Sequence, residues 1–523
     1  MLPHHKPMRL RFPTLVLAAF CWPALAADIP EEPRFDIKHF EVVGNTLLDA
    51  GLIDTTLAGH LGMGRRFADI EAARSALQER YTGLGYATVE VAVPEQEIST
   101  GTIRMQVGEH SVTQVESLGA KHHDLANLRA SVPGLREGRI PNTTLIAESL
   151  RLADENPSKR TYLLFKPALE GDEIHAVLRV EDEKTWKTFV SLDDTGSKET
   201  GATRLSLGYQ NANLFNRDRV LTLQYITSPE KLSKVGIFGI GYHVPLYARS
   251  DAIDLSAGHS NVNTGNIQGA FNVTGRGDIL GAAYTFNLVK HGALEQKFAL
   301  GLDYRAYNNA GATESLYTVH PVNLTYKGQW SDRATQAGYS LAAIANLPGG
   351  SHGNSADFAA TRVGSTADYS LLRLSANLMR TLPADWQVHA GFEGQYTDAP
   401  LVPGEQFGLG GHDSVRGFGE RLLTGDYGWR LGLEMFTPDQ GAKTGLTQAS
   451  LRLLGFVEGG RADRLQPQPG EASRYLIAST GLGARFGLGK DFSARLDYGY
   501  VLGGDSDTPR GSVRWHGSLS YLF

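Results

Sequence analysis

Beyond an apolar N-terminal segment that contains Cys21, the sequence has no cysteine. Disulfide bonds, thiolate metal sites and cysteine nucleophiles are therefore excluded from the rest of the chain. The sequence also lacks an apolar run that approaches the ~20 residues a membrane-spanning helix requires. It has no excess of basic residues, since the formal charge is -6, and it contains no P-loop. Nucleic acids and nucleotides are therefore not expected as partners.

The apolar N-terminal segment, Pro13–Ala27, follows Lys6, Arg9 and Arg11 without an intervening acid. It closes with the small-residue sequence Ala24-Leu25-Ala26. A basic start, an apolar stretch and a small-residue exit are typical of a secretory signal peptide. The alternative is a short N-terminal membrane anchor, but the segment is too short to cross a bilayer. Residues 1–26 are thus predicted to be a cleaved signal peptide.

Residues 34–182 mix short strands with helices in two successive units, 34–109 and 110–182. Each unit shows the order strand, helix, helix, strand, strand. The strand-like segments are 37–43, 87–93 and 102–107 in the first unit, and 112–118, 162–165 and 174–180 in the second. The helical periodicity lies at 70–84 in the first unit, and at 124–132 and 143–154 in the second. Two small α+β domains are predicted, and the alternative is one mixed domain of unrelated topology.

From residue 185 to 523 the helical period gives way to strict alternation of apolar and polar residues. Leu300 and Leu302, for example, alternate with Asp303 and Arg305. A β-sandwich would bury the apolar face, whereas a transmembrane β-barrel turns it to lipid and wets its lumen. Charges of both signs and many glycines on the polar faces favour the barrel. The segment has room for about 16 antiparallel strands, each with the ~9–11 residues that a tilted span needs.

The connections between the predicted strands alternate in length. Those after even-numbered strands are mostly short, as at 245–251 and 383–385. Those after odd-numbered strands are mostly longer, as at 348–366 and 398–424. Short turns on the periplasmic side and long loops outside are characteristic of outer-membrane barrels. Both chain termini and the two small domains are therefore predicted to be periplasmic.

The longest predicted loop, 398–424, contains the sequence Val415-Arg416-Gly417-Phe418 among several glycines. An arginine in a loop is usually only solvated. This loop is long, glycine-rich and apolar at its tip, so it is able to fold back into the lumen and bring Arg416 to a carboxylate there. The predicted strand 13 offers one, because the alternation of apolar residues along it directs Phe456 and Glu458 to the lumen.

These features resemble the two-partner-secretion transporters of the Omp85 superfamily, the haemolysin and filamentous-haemagglutinin secretion family. The Val415–Phe418 sequence matches the family's loop-six signature, and Phe456 and Glu458 stand where the family has Phe-x-Asp on an inner strand. Phe523 is similar to the terminal aromatic residue that signals barrel insertion. The resemblance therefore implies a loop lock made by Val415, Arg416, Gly417, Phe418, Phe456 and Glu458, and an insertion signal at Phe523.

The two small units resemble POTRA domains of the same family. The first unit carries its signature within residues 86–101, and Asn156-Pro157-Ser158-Lys159-Arg160 resembles that of the second. The resemblance covers nearly all of the predicted mature chain.

Two departures from the family pattern concern the lock. Glu458 replaces the usual aspartate, and its extra methylene group is expected to shift the loop while still permitting a pair with Arg416. Family members also often carry an N-terminal helix that plugs the pore, whereas only Ala27–Pro33 separate the predicted cleavage site from the first strand-like segment. We therefore expect the resting state to be sealed mainly by the long loop.

The resemblance implies a translocator in the outer membrane of a Gram-negative bacterium. Its POTRA-like domains would capture an unfolded exported protein, partly by adding its strand to a sheet edge, and the barrel would pass it outward. The expected partners are a large secreted exoprotein, outer-membrane lipid and, during biogenesis, the barrel-assembly machinery. The alternative within the superfamily is a factor that inserts other barrels, but such proteins usually carry more than two POTRA domains.

Two further functions are disfavoured by the sequence. A simple diffusion porin has no need of two periplasmic domains. The sequence His412-Asp413-Ser414 contains the residue types of a catalytic triad, but consecutive side chains do not converge in the order that the triad requires. We therefore do not expect an enzyme, and we expect no metal or other cofactor.

Overall fold

The computed structural model describes residues 33–167, 173–262, 265–267, 271–273, 275–310 and 314–523. The predicted signal peptide, with Cys21, lies outside the described residues. The described residues form two compact units, of which the first comprises those up to Thr82 with Val89–Gly108, and the second comprises those in Gly83–Thr88 and Glu109–Phe523. Among the described helices, none is both long enough and apolar enough to cross a bilayer.

The first unit is a small α+β domain. Its strands are Phe35–Ile37, His39–Val43, Gly62–Arg65, Glu90–Ala92 and Thr102–Gly108, and its helices are Ala50–Leu57 and Phe67–Gly83, with a 3-10 turn at Ala58–His60. The longer helix directs Ile70, Ala73, Leu77 and Tyr81 into the core, at the helical spacing seen in the sequence. This helix packs its buried face towards a three-stranded sheet in which His39–Val43 runs parallel to Thr102–Gly108.

Two predicted strands of this unit differ from the structure. Segment 37–43 is divided at Lys38, because Phe35–Ile37 pairs with Gly62–Arg65 while His39–Val43 pairs with Thr102–Gly108. The expected strand 87–93 is only Glu90–Ala92. Here the side-chain amide of Gln78 accepts a hydrogen bond from the Val91 N–H group at 2.9 Å and donates one to the Val89 carbonyl at 2.8 Å. A helix side chain thus takes backbone bonds that a strand partner would otherwise make.

The second small domain, within the second unit, repeats the strand–helix–helix–strand–strand order. Its strands are Val112–Leu118, Lys159–Pro167 and Ile174–Asp182, and its helices are Leu125–Ser131 and Thr143–Ala153. The helices begin after Asp124 and Asn142, whose side chains accept hydrogen bonds from backbone N–H groups of the first turn. The core contains Val115, Leu128, Ile146 and Leu178 between the helices and the sheet.

The remainder of the second unit is a closed antiparallel barrel. Its ladder has 17 segments, but Glu314–Val319 and Pro321–Ser331 both pair with Leu294–Ala310 and form one strand interrupted at His320. The predicted 16-stranded barrel is therefore confirmed. Barrel strands 1 to 16 are Trp186–Asp193, Arg204–Leu214, Arg219–Thr227, Ile237–Leu246, Asp251–Ser260, Gly277–Asn287, Leu294–Ala310, Glu314–Val319 with Pro321–Ser331, Thr335–Asn346, Ser370–Thr381, Gln387–Tyr396, Tyr427–Phe436, Ala449–Asp463, Arg474–Leu488, Phe492–Gly503 and Val513–Leu522.

The two faces of the barrel are those that the alternation predicts. Leu300 and Leu302 are 46% and 57% exposed on the outer surface, although they are large and apolar. Asp303 and Arg305 project from the same strand into the lumen, where their side chains bond to each other at 2.7 Å. Apolar outer positions face lipid, which is the arrangement of a transmembrane barrel.

The connections at one end of the barrel are short, as between Leu246 and Asp251, and the second small domain contacts this end. At the opposite end, long connections include the segment 347–369, which contains the helix Ser355–Thr361. The connection from barrel strand 11 to barrel strand 12, residues 397–426, is named loop 6 below. It contains a short hairpin of Phe407–Leu409 with Leu423–Gly425.

Candidate functional site

Loop 6 folds back into the barrel. Val415 and Phe418 are fully buried and pack with Leu409, Ala462 and Val501, which come from the loop 6 hairpin and from barrel strands 13 and 15. Burial of these apolar side chains inside the barrel removes the tip of the loop from solvent, which favours the inward position. The expectation that the loop turns inward therefore agrees with the structure.

A close approach of two backbones allows the loop to lie against the barrel wall. Gly417 has a φ of 95°, a conformation that favours glycine, and it lies against Gly499 of barrel strand 15. A Cβ atom at position 499 would come within 2.7 Å of the Gly417 nitrogen. Side chains at either position would push the loop away from the wall, so the signature needs its glycine for steric reasons.

Arg416 and Glu458 form the contact at the centre of this site. The carboxylate of Glu458 accepts hydrogen bonds from Arg416 Nε at 2.9 Å, from Nη2 and from the Arg416 backbone N–H at 2.8 Å. Arg416 is 1% exposed and Glu458 9% exposed. A buried arginine needs carboxylates around it, because an uncompensated buried charge costs about 3–5 kcal/mol. The contact is present; its role in secretion stays a prediction.

Two further carboxylates and one ring complete the surroundings of Arg416. Nη2 lies 2.7 Å from Glu434 of barrel strand 12, and Nη1 lies 3.2 Å from Asp497 of barrel strand 15. The guanidinium carbon is 3.5 Å from the centre of the Phe456 ring, an arrangement for a cation–π contact. Glu434 and Asp497 are not among the residues predicted from the sequence. Their signal was present, because both are acids at lumen-facing positions of alternating strands.

Loop 6 is also held nearer to its ends. Glu405, fully buried, accepts a hydrogen bond from Arg305 at 2.9 Å and lies 3.5 Å from Arg373. At the other end of the loop, the buried carboxylate of Asp426 pairs with both terminal nitrogens of Arg362, which follows the helix Ser355–Thr361. The segment 347–369 is thereby fixed over the base of loop 6.

The tip of loop 6 contacts the place where the barrel closes. His412 Nδ1 lies 3.2 Å from Asp194 Oδ1, and His516 Nδ1 lies 3.0 Å from Asp194 Oδ2. Burial alone would raise the pKa of Asp194, but the hydrogen bonds from both histidines lower it well below its usual range. His412 thus bonds to a residue outside the tripeptide, while its Nε2 lies 3.8 Å from Asp413. Among the described residues, the buried Ser414 Oγ has no hydrogen-bond partner. The serine–histidine hydrogen bond that a catalytic relay requires is therefore not formed between Ser414 and His412.

Glu420 lies beside this contact. Its carboxylate accepts a hydrogen bond from the His412 backbone N–H at 2.5 Å, but burial and the neighbouring charge of Asp413 raise the pKa of Glu420 to about 7. Among the described residues, Asp194, His412 and His516 also form a group whose ligand atoms lie within 4.8 Å of one another, so they have the composition of a metal site.

A second buried charge cluster joins the second small domain to the barrel. Lys159 Nζ lies 2.5 Å from Asp218 in the turn after barrel strand 2. The same carboxylate accepts hydrogen bonds from Asn127 at 3.0 Å and from the Tyr247 hydroxyl at 2.6 Å. Burial lowers the pKa of Lys159 and raises that of Tyr247. The signature at 156–160 thus lies at the junction with the barrel.

Phe523 directly follows barrel strand 16. The residue is 61% exposed on the outer surface and its ring lies against Tyr521, while its N–H group donates to the Thr188 carbonyl at 2.8 Å. An aromatic residue exposed at a strand end suits the interfacial girdle of a barrel. The predicted insertion signal is therefore accessible from outside the barrel.

Comparison with known proteins gives a consistent result. The family model of the haemolysin secretion/activation protein ShlB/FhaC/HecB matches residues 172–486, and that of the ShlB-type POTRA domain matches residues 35–109. The heme/hemopexin transporter protein HuxB of Haemophilus influenzae is 20% identical over 404 residues, which are 73% of this chain and 69% of HuxB.

Two solved structures show the same fold. CdiB from Escherichia coli superposes with a TM-score of 0.76 at 18% identity, and covers 96% of this chain and 93% of its own. BamA from Haemophilus ducreyi, lacking POTRA domains 1–3, gives a TM-score of 0.52 at 12% identity, with 94% of this chain and 100% of the BamA chain covered. At these identities the structures support the architecture alone.

Proposed function

Since the chain belongs to the haemolysin secretion/activation protein family, we propose that this two-partner-secretion transporter of the Gram-negative outer membrane is locked at rest by loop 6. Its POTRA-like domains capture a large unfolded exoprotein in the periplasm, and the barrel passes it to the surface. We assign residues 34–109 and 110–182 to these domains and residues 185–523 to the barrel. Outer-membrane lipid surrounds the barrel, and the assembly machinery recognises Phe523 during insertion.

The observation that carries the proposal is the burial of Arg416 among three carboxylates inside the lumen. Loop 6 lines a lumenal cavity of about 780 Å³ and therefore occupies part of the route that an exported chain would follow. The contacts of Arg416 within this lock are polar, so an incoming chain or water is able to replace its hydrogen bonds one at a time. Release of loop 6 then opens the route without unfolding the barrel.

The junction at Lys159 supports a role for the second POTRA-like domain in delivery. Its buried ion pair with Asp218 holds this domain against the turns of the barrel. A chain bound to this domain is then already near a second lumenal cavity of about 1030 Å³, which is lined by Glu155 and Pro157 of the domain and by Lys187 of barrel strand 1. Captured substrate is therefore delivered to the pore entrance.

Insertion of other barrels is the alternative function. The superposition with CdiB has the higher TM-score, 0.76 against 0.52 for BamA, and the matching family model is that of the secretion proteins. These observations favour secretion of a partner exoprotein. Because the periplasm lacks ATP, we propose that folding of the exoprotein outside the cell gives the transport its direction.

The test is co-expression with an exoprotein encoded beside this chain, followed by measurement of that exoprotein at the cell surface and in the medium. The full chain should secrete it, whereas a variant lacking residues 34–109 should form a heat-modifiable barrel that secretes none. Secretion by the deletion variant at the level of the full chain would refute the capture role. Improved assembly of other barrels without exoprotein secretion would support the insertion factor instead.

A further inference from the structure

The barrel closes through a ladder that covers only half of barrel strand 16. Residues Leu522–Ser518 pair with Phe189–Asp193 of barrel strand 1, and the Asp194 N–H then donates to the Gly517 carbonyl at 3.2 Å. Barrel strand 16 nevertheless extends to Val513. Among the described strands, its residues Val513–His516 pair with barrel strand 15 but not with barrel strand 1. The closing seam therefore ends at Asp194, although the strand on one side of it does not.

A cluster of polar side chains connects the strands where the ladder ends. Asp194 Oδ1 accepts hydrogen bonds from the Gly517 N–H at 3.0 Å and from His412, and Oδ2 accepts from His516 at 3.0 Å. Arg514 lies 4.0 Å from the same carboxylate. Asp194, directly after barrel strand 1, thus supplies the acceptor, and barrel strand 16 and loop 6 supply its donors. We name Asp194, His412 and His516 the seam cluster.

The donors around His516 determine which of its nitrogens carries the proton. The Gly417 N–H, within the loop 6 signature, donates to His516 Nε2 at 3.1 Å. Nε2 must therefore be the unprotonated nitrogen, and Nδ1 bears the proton that it donates to Asp194. His516 consequently links the backbone next to Arg416 to the end of the seam through one continuous chain of hydrogen bonds.

We propose that His516 is a positioning residue that joins loop 6 to the closing seam, so that release of the loop and loosening of the seam at its Asp194 end occur together. This inference rests on the proposed function of loop 6 as a lock. When the loop leaves, His516 Nε2 loses the Gly417 donor and Asp194 loses its bond from His412. The carboxylate that ends the ladder is then held only by barrel strand 16.

The direction of these bonds also argues against a metal ion in the seam cluster. A neutral histidine that binds a cation through Nδ1 carries its proton on Nε2. In His516 that proton would face the Gly417 N–H group, so two donors would oppose each other. The geometry therefore favours a hydrogen-bonded junction over a cation site, and the experiment below also tests for a bound cation.

The test is hydrogen–deuterium exchange of the full chain in lipid nanodiscs, read on peptides that cover 186–195 and 513–523, together with conductance in planar bilayers. His516→Phe removes both hydrogen bonds of the imidazole, whereas His516→Gln keeps a donor and an acceptor. We expect the first variant to raise seam exchange about tenfold and the second to raise it less. His243→Phe is the matched control, since His243 pairs with Asp254 on the lumen wall, away from the seam.

The decisive comparison uses Arg416→Ala, which removes no atom from the seam cluster. If loop and seam are joined, this variant also raises exchange in 186–195 and 513–523. A rise in conductance with unchanged seam exchange would overturn the junction and leave the loop lock intact, whereas no change in either would refute the lock itself. If His516→Phe does not insert, Asp194→Asn takes its place. A change in seam exchange on adding Zn²⁺ or EDTA would show a cation site and would also overturn the proposal.

Discussion

The guanidinium of Arg416 lies over the ring of Phe456, with its central carbon 3.5 Å from the ring centre, while Glu458, two residues further along the same strand, accepts its hydrogen bonds. Alternation places positions 456 and 458 on the same face of barrel strand 13. One strand therefore provides both a surface for the flat face of the guanidinium and an acceptor for its edge. This arrangement is specific for arginine, because a lysine ammonium group has neither a planar face nor a fork of donors.

Arg416→Lys should consequently open the lock while preserving the charge. The lysine retains attraction to the carboxylates but loses the paired geometry, and we expect the open probability in planar bilayers to rise about tenfold or more. Arg452→Lys is the control, since Arg452 bonds to Asp385 in a turn at the end of the barrel. Equal conductance of the two variants would contradict a lock that depends on arginine.

A charge exchange between positions 416 and 458 is not expected to restore the lock. A glutamate at 416 would face Glu434 and Asp497, which remain in place around it. Glu458→Asp is the sharper variant. The shorter side chain cannot bond at once to Nε and to the backbone N–H of Arg416, and loss of one charge-assisted bond should raise the open probability about tenfold. Conductance unchanged from that of the native chain would show that the extra methylene group has no part in the lock.

Lys159→Met should loosen the second POTRA-like domain from the barrel. The variant leaves Asp218 buried without its cation, which costs about 3–5 kcal/mol. Exchange of the turn at 215–218 should rise, and secretion should fall while heat-modifiability is kept. Lys297→Met is the control, because its pair with Glu155 also connects domain and barrel but is partly exposed and contributes little. Equal effects of both variants would refute the special role of the buried pair.

Leu300→Arg should destabilise the barrel by about 2–4 kcal/mol if position 300 lies near the bilayer midplane, since the leucine faces lipid. Lys327→Gln on the lumen wall is the control and should fold normally. Arg305 is not a suitable control although it also faces the lumen, because its loss would remove the nearer of the two arginines that pair with the buried Glu405. Urea midpoints of folding into lipid vesicles measure the effect. A larger loss of stability for Lys327→Gln than for Leu300→Arg would show that the lipid and lumen faces are assigned the wrong way round.

Closure of loop 6 should weaken as the pH rises from about 5 to 8. Burial raises the pKa of Glu420 from 4.5 to about 7, so the closed loop favours the protonated carboxyl group. Its contribution to closure is fully present below pH 4.5 and is lost as the pH rises through about 7. Glu420→Gln stays neutral and should remove this component. Open probability that depends on pH equally in both proteins would show that Glu420 is not the group responsible.

The barrel shows most clearly how much of the fold can be predicted from the sequence. Strict alternation in segments such as 297–306 requires one apolar and one polar face per strand, and strand length then limits the number of spans. The facing of Glu458 and Phe456 into the lumen follows from the same period of two. Resemblance of the motifs added the pairing of Arg416 with Glu458. These features are local or periodic, and a linear sequence is sufficient to show them.

Tertiary structure alone decided which distant groups meet. Asp194, His412 and His516 come from three separate parts of the chain, and no periodicity relates the register of barrel strand 16 to that of barrel strand 1. The same is true of Lys159 and Asp218 at the domain junction. Closure of the barrel sets these registers through the shear of all sixteen strands together. The sequence therefore determined the faces of the strands, whereas only the closed barrel determined which polar groups are buried together and pair.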